Sequence, residues 1–221
     1  MSEIKIYSFD KCPFAQRTRM VLIEKNLPFE LIEIDVYNKP DWFASVSPYG
    51  KVPVLSHEGR TIYESAIINE YLDERFPETP LMPTDHFERA NARIWIDYCS
   101  NHYLPACTRL MRGRNDPEQQ KKNHQNIKEK LMFIETECFQ KHKDGLFWMG
   151  EKISLVDLHY APFFERFGAY EHLFNAQWPE ECTQLTAWWS AMQQRESYKS
   201  TFLPLESHIK TYSDMMQRIA S

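Results

Sequence analysis

The stretch Phe9-Asp10-Lys11-Cys12-Pro13-Phe14-Ala15-Gln16-Arg17-Thr18-Arg19 sets a cysteine directly ahead of a proline, where an apolar, strand-like run gives way to a helix-like one. Proline has its φ preset and no amide proton, so it suits the first position of a helix, where that amide would go unbonded anyway. Cys12 then falls at the N-cap. A thiol there faces free backbone amides and the positive end of the helix dipole. Both favour the thiolate and can bring a cysteine down from about 8.5 to roughly 3.5–7.5. Lys11 and Arg17 add positive charge nearby. The spacing predicts a low-pKa nucleophile; the bland alternative is a small buried hydrophobe, the common fate of a free cysteine. A dithiol oxidoreductase carries a second cysteine three residues on, to resolve its own mixed disulfide. Here that position is Ala15, so a mixed disulfide at Cys12 must be resolved by an outside thiol, with glutathione the expected one.

Working outward, the hydrophobic period changes repeatedly over residues 1–76, which signals alternating strands and helices. Residues 5–9, with Ile4, read as a strand, and residues 13–25 as a helix in which Phe14, Thr18, Val21 and Leu22 share one face; Asn26 can end it in a left-handed conformation. Residues 29–35 read as a second strand, and residues 52–55 and 60–63 as two short strands around the turn His57-Glu58-Gly59. A helix follows from near Ser65, with Ile68, Tyr71, Leu72 and Phe76 at spacings of three or four. The order is β-α-β then β-β-α. Residues 77–84 hold three prolines in eight positions and are expected to link this unit to the next. Residues 85–221 read as helical throughout. Ile127, Leu131, Ile134 and Cys138 form one apolar stripe, and Ser154-Leu155-Val156-Asp157 has the form of a capping box.

Composition bounds the function. At 221 residues the chain has room for two domains with cores of their own. With 43% hydrophobic and 26% charged residues it has the profile of a compact globular protein. A net charge of -5 argues against a nucleic-acid partner, which needs clustered Lys and Arg in excess. The start MSEIKIYSFD lacks the apolar core of a signal peptide, and no segment approaches the roughly 18 apolar residues of a membrane span. A cytoplasmic protein without a membrane partner is expected. The five cysteines are odd in number and irregularly spaced, so reduced thiols are the default.

Two further stretches belong beside Cys12. Val52-Pro53 is similar to the cis-proline step beside the active cysteine of thioredoxin-like folds, where the exposed backbone of the preceding residue pairs with a peptide ligand as an added strand. Glu64-Ser65 opens a helix, where a serine hydroxyl and free amides make an anion site fit for a carboxylate, while Glu64 can meet an ammonium. On its own, Ser65 reads equally well as a plain helix cap.

Taken together, CPFAQRTR (12–19), NKPDWF (38–43), PYGKVPVL (48–55), YESAI (63–67) and EYLDERFP (70–77) resemble the omega class of glutathione transferases, and SLVD (154–157) extends the resemblance more weakly over the second half. The resemblance implies the glutathione transferase fold: an α/β thioredoxin-like N-terminal domain, then an all-α C-terminal domain, usually as a homodimer. It implies glutathione as cosubstrate, a small electrophile or disulfide as partner, and thioltransferase or dehydroascorbate reductase chemistry through a Cys12 mixed disulfide. By position, Lys39 would meet the glycyl carboxylate, Val52 ahead of Pro53 would pair with the cysteinyl backbone, and Glu64 with Ser65 would hold the γ-glutamyl end. The segments EYLDERFP, PLMP and SLVD also look like stringent starvation protein A, a non-catalytic RNA-polymerase-associated stress protein, but that family typically lacks an intact Cys-Pro-Phe. Intracellular chloride channel proteins share the CPF segment, yet Arg17, Arg19, Glu24 and Lys25 would be costly in lipid.

Tyr7 stands where other transferase classes carry a catalytic tyrosine; with Cys12 present it is expected to be a core aromatic or a minor contributor. The eight histidines include no HExxH and no zinc-finger pairing with cysteine, so no metal is expected. The second substrate is expected between Cys12 and a long helix carrying Tyr98, His102, Pro105 and Arg109, with Tyr212 closing the site, although these residues are equally good core or interface candidates.

Overall fold

The structure, a computed structural model, describes residues 3–141 and 145–220. It begins with β1 (Ile4–Ser8), α1 (Pro13–Glu24), β2 (Glu30–Glu33), a short α2 (Phe43–Val46), β3 (Val54–His57), β4 (Arg60–Tyr63) and α3 (Ser65–Arg75). The four strands form one sheet in the order β2-β1-β3-β4. β2 runs parallel to β1, pairing Ile6 with Leu31, and β3 antiparallel, pairing Ile6 with Leu55. Glu58 and Gly59, with φ of 51° and 73°, make the tight β3–β4 turn. β2 is shorter than the apolar run suggests, and β3 starts at Val54 because Val52-Pro53 lies outside the ladder, as expected of a residue without an amide proton. The short α2 had no clear periodic signal.

α1 ends as expected. Asn26 is left-handed (φ 52°), its amide bonds to Ile23 and that of Leu27 to Leu22, which closes the last turn. Thr18, Val21 and Leu22 are buried, but Phe14 does not share their fate: it is 40% exposed and sets its ring edge against Phe163 at 5.4 Å.

Residues 77–84 carry no regular element but are firmly fastened. Buried Asp73 takes Lys25 Nζ at 2.9 Å and the amides of Leu81 and Met82 at 2.7 and 3.0 Å, while Lys25 Nζ also donates to Thr79 O at 2.6 Å. Leu81 and Met82 thereby enter the core, and the Leu81 carbonyl receives the amide of Leu155 at 2.8 Å.

Helices follow: α4 (His86–Tyr98), a π-helical turn over Cys99–Tyr103, α5 (Leu104–Arg112), α6 (Pro117–Ile134), a second π-helical turn over Glu135–Phe139, α7 (Leu155–Glu165), α8 (Phe167–Phe174), α9 (Thr183–Met192), the single-turn α10 (Glu196–Lys199) and α11 (Leu205–Ala220). The fold is thus an α/β thioredoxin-like unit followed by an all-α one. One hydrophobic core runs through both, from Ile4 and Ile6 to Trp148, Tyr160 and Trp188; a small second cluster, Ile34, Phe43 and Val54, covers the other face of the sheet. The stripe Ile127, Leu131, Ile134 and Cys138 is buried throughout. No helix among the described residues is long and apolar enough to cross a membrane.

α7 is buried along its whole length and starts at a polar hub. The Asp157 carboxylate accepts from Ser154 N (2.7 Å), Ser154 Oγ (2.6 Å), Trp148 N (3.0 Å) and Trp188 Nε1 (2.7 Å). It therefore joins the helix start to two core tryptophans, well beyond a local cap. Burial outweighs these bonds and pushes its carboxyl from 3.8 up to about 6.

Two outcomes follow in urea titrations. Ser154→Ala should cost about 0.5–2 kcal/mol, and Asp157→Ala at least about 3 kcal/mol, since several buried donors lose their acceptor together. Because the folded state holds the Asp157 proton more tightly than the unfolded one, its contribution falls as pH rises from about 4 to about 6. The stability gap between wild type and Asp157→Ala should narrow over that window; a gap that widens would contradict the assignment.

Candidate active site

The chain leaves β1, turns on the Cys12 N to Phe9 O bond (3.0 Å) and enters α1 with Cys12 at the N-cap (φ −82°, ψ 115°) and Pro13 first in the helix. The thiol is half-buried, and its Sγ donates to the Val52 carbonyl at 3.7 Å, just ahead of Pro53, whose peptide bond is cis. Cys12, Val52 and Pro53 are therefore brought together from positions 40 residues apart.

The expected low-pKa thiol is corrected by its surroundings. Burial pushes the Cys12 thiol above its ordinary value, and the amides of Ala15 and Phe14 with the charges of Arg166 and Arg17 only partly offset it. The helix N-terminus acts in the direction anticipated, but removing the sulfur from water is the larger effect. Arg166, which spacing did not single out, reaches back from the end of α7: it donates to Gln16 Oε1 at 2.8 Å and to the Lys11 carbonyl at 3.0 Å. Gln16 in turn donates to Glu165 Oε2 at 2.8 Å. The only sequence signal for this lattice was the run of polar residues on a helix otherwise placed to be buried.

Val52, Pro53, Glu64 and Ser65 line one groove beside Phe14, with Tyr49, Lys51 and Tyr63. Glu64 is exposed and left-handed (φ 68°) at the N-cap of α3, a conformation that is uncommon for glutamate and concentrates at functional positions. Ser65 is not the cap; it is the first helical residue, 3% exposed, and its Oγ accepts from Arg17 Nε at 2.8 Å. Lys39 does not line the groove. It is exposed, with Nζ beside Gly50, and Lys51 is the lysine on the lining.

Tyr7 packs against Trp42 and Phe43 at ring separations of 6.0 and 6.3 Å. Strand alternation turns it to the sheet face opposite Ile6 and α1, where it packs half-buried against the small cluster of Ile34, Phe43 and Val54.

A cavity of about 420 Å³ opens on the other side of Phe14, walled mainly by Leu104, Met111, Phe163, Tyr212 and Met215, with Lys11 and Arg112 at its polar edge. Tyr212 belongs to it, as expected. Tyr98 and His102 do not: their rings stack at 5.0 Å, and Tyr98 stacks again on Phe133 at 4.9 Å. Arg109 and Pro105 line a separate depression, also against Phe14. The π turn over Cys99–Tyr103 explains the error. It inserts an extra residue per turn and rotates everything after it, so four residues at regular α spacing no longer share a face. No group of three or more His, Cys, Asp or Glu among the described residues is placed to hold a metal; His142 lies outside them.

Comparison with known proteins places this geometry in a family. Residues 6–80 match the glutathione S-transferase N-terminal domain and residues 97–196 the C-terminal domain. The chain is 36% identical to glutathione S-transferase omega-1 of Rattus norvegicus, over 97% of this chain and 85% of that protein, and 33% identical to glutathione S-transferase U25 of Arabidopsis thaliana, over 98% and 96%. Among solved structures it superposes on glutathione transferase Omega 3C from Trametes versicolor with a TM-score of 0.87 and 27% identity, covering 99% of this chain and 92% of that one. Rice GST1 in complex with glutathione gives 0.89 and 30%, covering 98% and 97%. With both halves matched in order around a thiol at the start of the first helix, the chain belongs to the glutathione S-transferase family and resembles its omega class.

Proposed function

We propose that the protein is a glutathione-dependent thioltransferase and reductase acting through a Cys12 mixed disulfide. One observation carries the reading: Cys12 Sγ donates at 3.7 Å to the carbonyl of Val52, a residue that lines the groove with Glu64 and Ser65, while Ala15 stands where a resolving cysteine would. The Cys12 thiolate attacks the glutathionyl sulfur of a mixed disulfide, and the acceptor leaves as a thiolate that takes up a proton. A second glutathione, as thiolate, attacks the glutathionyl sulfur held on Cys12. This releases glutathione disulfide and returns the Cys12 thiolate, so the mixed disulfide is reduced to the acceptor thiol at the expense of one free glutathione, the other half of the glutathione disulfide coming from the mixed disulfide itself. Glutathionyl adducts enter by the same attack on the glutathionyl sulfur, whereas dehydroascorbate, which carries none, is reduced when the Cys12 thiolate adds to a carbonyl carbon and a glutathione thiolate then attacks the Cys12 sulfur, expelling ascorbate and leaving the same Cys12 mixed disulfide.

In this reading the backbone of Val52 pairs with the cysteinyl residue of glutathione, Glu64 meets its ammonium and Ser65 its γ-glutamyl carboxylate; Lys39 or Lys51, on adjoining turns, meets the glycyl carboxylate. The small electrophile or disulfide occupies the cavity beyond Phe14, whose largely apolar wall favours a partly hydrophobic acceptor. The exposed Ile67, Phe87 and Ile94 on α3 and α4 support a homodimer, and five unpaired cysteines suit a cytoplasmic protein.

Wild-type protein should reduce hydroxyethyl disulfide or dehydroascorbate with glutathione and conjugate 1-chloro-2,4-dinitrobenzene poorly, because a thiolate exchanges sulfur while conjugation calls for a hydroxyl donor to the glutathione thiolate. Cys12→Ala should abolish the reductase rate, and Cys12→Ser should gain conjugating activity. Equal reductase rates for wild type and Cys12→Ala would exclude the mechanism. Intact mass after glutathione disulfide treatment should rise by one glutathionyl group in wild type only.

Iodoacetamide alkylation of free Cys12 should show an apparent pKa at or above that of an ordinary thiol, and Arg166→Met should raise it further. Calorimetry with Glu64→Ala should show glutathione binding weakened by about tenfold or more, the value of one charge-assisted bond; unchanged affinity in a folded variant would remove Glu64 from the site.

A further inference from the structure

A groove of about 420 Å³ lies where the end of α7 and α8 meet α9, α10 and the start of α11. It shares no described lining residue with the groove or the cavity beside Phe14, and its size falls in the range of small-molecule sites. Five aromatic rings run along it in one connected series: Trp178 to Phe164 at 5.6 Å, Phe164 to Trp189 at 6.1 Å, Trp189 to Tyr198 at 5.3 Å and Tyr198 to Phe202 at 5.7 Å. The angles between successive rings run from 46° to 84°, so no ring in the series covers its neighbour's face by stacking. Phe164 and Tyr198 are buried, Trp178 and Trp189 half-buried and Phe202 exposed, so the series passes from the core out to water.

The charge along this wall is one-sided. Glu165 and Glu171 line the groove, and among the described residues no Lys, Arg or His does. Glu165 is already matched, since its carboxylate accepts from Gln16 and meets His208 Nε2, each at 2.8 Å. Glu171 is not: its carboxylate has no hydrogen bond or ion pair among the described residues. Burial raises that carboxyl above its ordinary value, with no nearby cation to oppose the shift. Its Oε2 stands 4.0 Å from where a Cβ on Gly168 would be, beside a lining residue that has no side chain to cover it. Aromatic faces carry negative potential, and a partly desolvated carboxylate adds to it. Both attract a cation, and the apolar wall favours one whose charge is sheathed in carbon. The cavity beside Phe14 has the opposite polarity, with Lys11, Arg112 and Arg166 on its lining and, among the described residues, no Asp or Glu.

We propose that this groove is a binding site for a small organic ammonium ion, protonated or quaternary, whose alkyl groups lie on the aromatic series and whose charge faces Glu171. The site stands apart from the Cys12 chemistry, so the inference holds or fails independently of the glutathione reading.

The test is a titration of the full chain with choline, followed through the indole N–H resonances of Trp178 and Trp189, which Trp178→Phe and Trp189→Phe identify. The neutral control is 3,3-dimethyl-1-butanol, which has the same shape with carbon in place of the charged nitrogen; sodium chloride holds the ionic strength constant in both runs. Choline should move both resonances saturably, and the alcohol should bind at least about fivefold more weakly. Glu171→Gln and Phe202→Leu, each at an exposed position, should weaken choline about fivefold, whereas Cys12→Ala should bind it as wild type does. Equal movement by the two probes, or none by choline, overturns the proposal. So does a folded Glu171→Gln protein with unchanged choline affinity, and so does loss of choline binding in Cys12→Ala, which would return the effect to the sulfur site.

Discussion

The arrangement depends on the burial of α1 between the sheet and α7. Residues Ala15 to Leu22 are buried in unbroken succession, and a helix enclosed on every side must find internal partners for its polar side chains. α1 has Gln16, Arg17 and Arg19 among them. Gln16 is met by Glu165 and Arg166, and Arg17 by Ser65 and His159. The helical half is therefore no mere cover for the first half. It supplies Glu165 and Arg166 to Gln16 and His159 to Arg17, while Ser65 and the Asp10 carbonyl of the first half meet Arg17 and Arg19, and so both halves hold the helix that Cys12 caps.

That constraint also shapes the chemistry at the sulfur. Enclosure takes water away from Cys12 and raises its thiol, while the same enclosure makes the amides of Phe14 and Ala15 and the charges of Arg166 and Arg17 act at low dielectric. The ionisation of the Cys12 thiol is consequently governed by opposing effects, of which burial is the largest. Phe14 stands at the centre of the surface: the groove with Val52, Glu64 and Ser65 lies on one side, and the apolar cavity toward Tyr212 on the other. In the proposed reaction a Cys12 thiolate beside this ring would meet a polar tripeptide and a less polar acceptor.

A second tie holds the halves in register. Asp73 gathers Lys25 and the amides of Leu81 and Met82, and the Leu81 carbonyl accepts from Leu155 at the start of α7. The proline-rich segment is thereby a fastened strap. Asp157, at the same helix start, ties it to Trp148 and Trp188, so the helix that supports α1 is anchored at its beginning by both residues.

By itself the sequence determined what depends on local rules: Cys12 at an N-cap because proline starts a helix, the left-handed stop at Asn26, the period-two runs of the sheet, the Ser154–Asp157 helix start and the missing resolving thiol at Ala15. The resemblance to the omega class added Val52, Glu64 and Ser65 to Cys12; Val52, Glu64 and Ser65 line one groove, and Cys12 Sγ reaches the Val52 carbonyl. Tertiary structure decided what depends on burial and on helix phase. It put the thiol in a site dry enough to reverse the expected shift and exposed Lys39 beside a groove lined by Lys51. It gave Arg17, Arg166 and His159 their roles, because a polar residue within a helix shows its partner only when the opposing helix is in place. It also set Tyr98 and His102 apart from the apolar cavity beside Phe14, since a single π turn changes the phase of a helix without leaving a mark in the spacing of its side chains.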